Sequence, residues 1–143
     1  MINISYIDTG VLTNEMSGVK NWIREFVVSY GKEVGELYYS FCSDEYLYKM
    51  NIELLGHDFY TDIITFPLNE CETILSAEFH ISVDRIRENA ITFNRSFKDE
   101  LHRVMAHGVL HLIGFNDLSE EESMIMREQE ENCLSMRTNI GLA

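Results

Sequence analysis

The chain is predicted to be a small α/β (α+β) protein: a mixed four-stranded sheet covered by about five helices. Three observations predict this. Its 143 residues, 45% of them hydrophobic, can bury one sizeable core, with no composition break to mark a second. Short alternating or β-branched runs dominate the first half. Helical periodicity dominates the second. The expected organisation is one domain over residues 1–143.

The elements follow in order. Ile2 to Ile7 alternates apolar and polar residues and predicts a strand. Val19, Trp22, Ile23, Phe26, Val27 and Tyr30 recur at helical spacing, so a helix is predicted from Gly18 to about Tyr30, with Ser17 as N-cap. Gly31 and Gly35 are expected to flank a turn. Glu36 to Cys42 reads as the second strand, and Ser43 with Asp44 starts a short helix to about Met50. Asp62 to Phe66 is a β-branched run stopped by Pro67, which cannot donate to a ladder; this third strand belongs at or near an edge. Ala77 to Ser82 alternates again and makes the fourth. Helices are then predicted over Val83 to Ile91, Phe97 to Ile113 and Ser119 to Met136.

Charge and cysteine content narrow the function classes. A formal net charge of -13 opposes unspecific adhesion to a phosphate backbone. Yet Arg85, Arg87, Arg95, Lys98 and Arg103 cluster before residue 107, which allows one basic flank; ordinary solvated helix faces are the alternative. Cys42, Cys71 and Cys133 form no CxxC pair, so neither a disulfide framework nor a thiolate zinc site is indicated. No leader-like or membrane-spanning run occurs, and a cytoplasmic location without membrane attachment is expected.

HGVLHLIGFND, residues 107 to 117, carries the chemistry. On a helix, His107 and His111 lie about 40° apart around the axis, so both imidazoles leave one face. Leu101, Val104, Met105 and Leu112 supply the buried stripe, which places the pair where the helix meets the interior. Gly114 can end the helix in a left-handed conformation and return Asp117 toward the two rings. Two nitrogens and a carboxylate would leave a tetrahedral ion one open position for water, as in catalytic rather than structural zinc. The spacing matches that of metzincin peptidases, but their general-base glutamate is replaced by Gly108. Peptide hydrolysis by the usual route is therefore disfavoured, while a metal that acidifies its own water remains available.

The same residues resemble the YbeY endoribonuclease family, factors of ribosomal RNA maturation. HGVLHLIGFND is similar to that family's HGxLHLxGYDH signature, and HDFYTDIITFP (57–67) to its KDxPTDVLSFP segment. AEFHISVDRIRENA (77–90) corresponds to a strand and helix that the family usually opens with Gly-Asp. The likeness runs from about Met50 to about Asn132. It implies a metal-dependent, single-strand-specific endoribonuclease holding one zinc through His107, His111 and Asp117. It also implies ribosomal RNA and the small ribosomal subunit as partners, in rRNA processing and ribosome quality control. Two rivals stay open: a non-catalytic assembly factor stapled by its ion, and a zinc hydrolase of another class, such as an atypical peptidase.

Three departures accompany the likeness. Asp117 stands where the family usually has histidine, which lowers the charge of the site by one and makes manganese or iron less foreign to it. Leu55 stands where the family has an arginine suited to the scissile phosphate; Arg85, Arg103 and a protonated His57 are the replacement candidates. Ala77-Glu78 replaces Gly-Asp. No residue is assigned as general acid or base; a metal-bound water is the expected agent. Asp62 is a candidate substrate or water contact, although capping of its own turn is the plainer expectation. His80 and His102 are expected to be structural or exposed. Tyr38, Tyr39, Phe41, Phe66 and Phe93 are suited to stack on bases, with core packing the preferred reading.

Overall fold

A computed structural model describes residues 1–138. Its elements are β1 (Ile2–Tyr6), α1 (Val19–Ser29), β2 (Glu33–Cys42), α2 (Asp44–Leu55), β3 (Ile63–Pro67), β4 (Ile74–Ser82), α3 (Val83–Thr92), α4 (Phe97–Ile113) and α5 (Glu120–Ser135). The sheet order is β1-β2-β4-β3. The β1–β2 and β2–β4 pairings are parallel, and β3 runs antiparallel along the edge beside β4. The mixed sheet is as expected from the order of strands and helices, and β3 lies at its border as the proline-terminated run predicted. Among the described residues, no helix is long and apolar enough to cross a membrane.

Alternation decides which face is covered. Leu37, Tyr39 and Phe41 of β2 and Ala77, Phe79 and Ile81 of β4 are fully buried, packed in one core with Trp22, Phe26, Leu101 and Met105 of α1 and α4. The residues between them, such as Tyr38 and Glu78, turn to the opposite face and remain exposed. There α2 covers only one end, through Leu47 over Cys42 and Ile64. Helices α3 and α5 pack against α4, which makes α4 the central helix. The Tyr39 hydroxyl donates to the Met105 carbonyl at 3.1 Å, and Trp22 Nε1 donates to the Cys133 carbonyl at 2.7 Å.

Several boundaries differ from the sequence expectation. Helix α1 begins after Gly18 in a left-handed conformation (φ 75°), so Ser17 is not its N-cap. Gly35 flanks no turn; it lies inside β2 at a register irregularity between Val34 and Leu37. A Cβ at Gly35 would sit 2.3 Å from Ser76 Oγ, so close strand approach explains the glycine. Helix α2 runs past Met50 to Leu55, where left-handed Gly56 (φ 67°) ends it. Ser43, Ser82, Ser96 and Ser119 cap the four later helices through their hydroxyls.

His102 belongs to the core. Its Nε2 lies 2.7 Å from the Glu15 carbonyl and Nδ1 lies 2.9 Å from Arg137 Nη1. The guanidinium can only donate, so Nδ1 accepts and Nε2 carries the proton. Burial, foremost, and the nearby Arg137 charge hold the imidazole down to about 4 against the ordinary 6.5. A depressed folded value favours the neutral ring: the stabilisation is complete above about pH 6.5 and is lost as pH falls toward 4. At pH 5 this group is expected to remove about 2 kcal/mol. Urea unfolding at pH 7 and pH 5 checks it, since His102→Gln should show a pH difference smaller by that amount.

Candidate metal centre

The site is assembled by the end of α4. Apolar residues Leu101, Val104, Met105, Val109 and Leu110 anchor the helix in the core, leaving His107 and His111 partly exposed. Gly114 adopts φ 125°, where a side chain would be strained, and its N–H donates to the Leu110 and His111 carbonyls at 3.1 Å each. The chain then doubles back. Asp117 Oδ2 lies 3.4 Å from His107 Nε2, and Asp117 Oδ1 lies 3.6 Å from His111 Nε2. The two Nε2 atoms are 3.0 Å apart.

Ligand atoms of His107, His111 and Asp117 therefore all lie within 4.8 Å of one another, the compactness one divalent ion needs. The donor chemistry agrees. His107 Nδ1 is 2.6 Å from Glu130 Oε2. A carboxylate accepts the Nδ1 proton, so the Nε2 lone pair is left pointing at Asp117 and His111, as a metal-binding imidazole requires. Asp117, on the exposed side, borders with His107 a pocket of about 160 Å³ lined also by Arg103, Ser123, Met126, Arg127 and Glu130.

Glu130 is the residue that sequence reading missed. It lies one turn beyond Met126 and one turn before Leu134 on the buried stripe of α5. A glutamate at such a position is the signal that marked it, because a buried carboxylate demands a partner. Arg103 supplies the second one, with Nη1 3.2 Å from both Glu130 oxygens. Burial pushes the Glu130 carboxyl up, but the His107 hydrogen bond and the Arg103 charge outweigh it and hold the group below its usual range.

Arg103 is fully engaged. It donates from Nε and Nη2 to the two oxygens of wholly buried Glu100 at 2.8 and 2.7 Å. Burial opposes its charge, yet the Glu100 hydrogen bonds and the Glu130 charge more than compensate. It is therefore a structural clamp on His107 and not a free cation for phosphate. Asp62 extends the network, with Oδ2 3.9 Å from Arg103 Nη2. Burial raises its carboxyl, partly offset by the Arg103 and His107 charges. The Asp62 side chain thus faces the site rather than merely serving its own turn.

The other candidates lie elsewhere. Arg85 pairs with Asp44 at 2.8 Å and Glu88 at 3.3 Å and sits over the Tyr60 ring. His57 stacks on Phe59, and Leu55 is an exposed helix end. The basic cluster before residue 107 is largely neutralised: Arg95 pairs with Glu131 at 3.2 Å, and Arg87 lies over Phe97. Tyr39 and Phe41 are core residues, as preferred, whereas Tyr38 and Phe93 are exposed, which corrects that preference. His80 is half-buried on the open sheet face beside Phe66.

Gly108 has a steric reason. A Cβ there would meet the Phe79 ring at 2.8 Å and Ile63 Cδ1 at 2.9 Å, so α4 approaches the sheet too closely for any side chain. A peptidase-like glutamate has no room at this position.

Comparison with known proteins gives the family. The family model described as "Endoribonuclease YbeY" matches residues 7–137. A Porphyromonas gingivalis protein named "Endoribonuclease YbeY" is 48% identical over 124 residues, covering 86% of this chain and 82% of its own. A Bacteroides thetaiotaomicron protein of the same name is 49% identical over 116 residues, covering 81% and 84%. A Thermotoga maritima protein of known solution structure superposes with a TM-score of 0.68 at 28% identity, over 99% of this chain and 95% of that one.

Proposed function

From the premise that this chain belongs to the endoribonuclease YbeY family, we infer that it is a metal-dependent endoribonuclease that cuts single-stranded RNA in ribosomal RNA processing and ribosome quality control. The observation that carries the reading is the convergence of His107, His111 and Asp117 at the end of α4. Zinc is the proposed ion, since two imidazoles with one carboxylate and an open side suit it; the carboxylate also admits manganese or iron. Ribosomal RNA and the small subunit are the proposed substrate and partner, which places the protein in the cytoplasm. Residues 1–143 are proposed to act as one hydrolase domain.

When bound, the ion would polarise a phosphoryl oxygen and acidify water. The chain's own residues do the rest. Glu130 holds the proton of His107 on Nδ1, and Arg103 with Glu100 keeps Glu130 ionised and in place. Asp117 contributes a negative charge and, being the most exposed of the three, leaves the approach side open. Asp62 borders the same network.

The test uses end-labelled single-stranded RNA and protein stripped by a chelator, with metal content measured. Cleavage is expected to vanish with the ion and to return on adding one equivalent of zinc, manganese or iron. Undiminished cutting by demonstrably metal-free protein would overturn the reading. The rival assembly-factor reading draws on exposed Leu55 at the family's arginine position. It prevails if metal removal melts the fold while loaded protein binds small subunits and cuts nothing.

A further inference from the structure

We propose that the trough between α4 and α5 is the subsite for the RNA strand flanking the cut, with Arg127 binding a backbone phosphate and Phe93 stacking a base. This rests on the endoribonuclease reading above. The first observation is continuity. The pocket of about 160 Å³ beside His107 and Asp117 shares Arg103, Arg127 and Glu130 with a larger one of about 510 Å³, which adds Phe93 and Arg95. The larger pocket is of the size that accommodates a nucleotide.

The second observation is which cation is at liberty there. Arg103 spends its donors on Glu100 and Glu130. Arg95 gives Nη2 to Glu131 at 3.2 Å and keeps other N–H groups, since a guanidinium carries five. Arg127 is exposed and, among the described residues, makes no ion pair. Spacing then aims it. Ser123, Met126, Arg127 and Glu130 share one face of α5, and that face lines the pocket with Arg103 and His107 of α4. Arg127 lies about one helical turn, some 6 Å, from Ser123 at the metal end. A phosphate neighbouring the one at the ion would fall within its reach.

The third observation is Phe93, 62% exposed at the end of α3, on the rim of the larger pocket. An exposed ring beside two arginines offers a base a sequence-tolerant platform and the backbone a counter-charge. Arg127 thereby supplies from α5 the cation missing at Leu55. In a chain of net charge -13, Arg127, without an ion pair among the described residues, favours RNA in this trough over the surface at large.

Two assays test the proposal: cleavage kinetics on single-stranded RNA, and anisotropy of a labelled deoxy oligonucleotide of the same sequence across a salt series. Arg127→Gln is expected to raise KM about tenfold with kcat little changed, and Arg127→Lys to recover most of the loss. The slope of log affinity against log salt should fall by about 0.7 in Arg127→Gln. Phe93→Ala should weaken binding about tenfold with the slope unchanged, and it decides the matter if the arginine variant fails to fold. Native KM and native salt slope in Arg127→Gln would overturn the subsite. Native protein that cuts no RNA defeats the nuclease reading instead, and the anisotropy series still judges the trough.

Discussion

His111→Ala is expected to lose the bound ion and to lower RNA cleavage by at least about a hundredfold, because even groups that only orient a metal ligand are worth 10–100-fold. His111 offers one of three converging donors, and the remaining His107 and Asp117 cannot hold an ion against water and buffer. The substitution sits on the half-exposed flank of α4, so the core should survive it. Two measurements separate loss of site from loss of fold. Elemental analysis should show a stoichiometric ion in native protein and none in the variant. Thermal unfolding should shift upward on adding metal to native protein alone, since only a folded state with an intact site gains binding energy. An His111→Ala protein that cuts RNA as fast as native would remove the ion from the mechanism.

Glu130→Ala is expected to weaken metal binding about 10–100-fold without touching a ligand. Loss of this carboxylate frees the His107 ring to rotate and to exchange its tautomer, and strands the Arg103 Nη1 donors. Folding stability should drop by about 1–3 kcal/mol for the buried donors left unpaired. Glu130→Gln, which keeps an acceptor but not the charge, should fall between. Competition with a fluorescent chelator gives the affinities, and urea unfolding gives the stability. Equal metal affinity in Glu130→Ala and native protein would show that His107 is held by packing alone.

Both expectations concern residues that differ in how visibly the sequence presents them. His107, His111, Gly114 and Asp117 lie within eleven consecutive residues, and their relation is set by helix geometry and one glycine break. Local spacing suffices to bring such groups together, which is why the meeting of these three side chains, the mixed sheet and the border strand β3 were all legible. Gly35 was not, because an isolated glycine marks a turn or a close strand contact equally well, and only Ser76 on the neighbouring strand decides between them.

By itself, then, the sequence determined the order of strands and helices, the face on which two imidazoles and a carboxylate meet, and the family likeness. Tertiary structure decided the rest: that Glu130, thirteen residues beyond Asp117, orients His107; that Arg103 is consumed by Glu100 and Glu130; and that Arg127 lines the trough without an ion pair among the described residues. The physical reason is range. Helix periodicity couples residues three or four apart, whereas pairing a buried charge depends on which distant side chains the packing of α4 against α5 brings within about 3 Å.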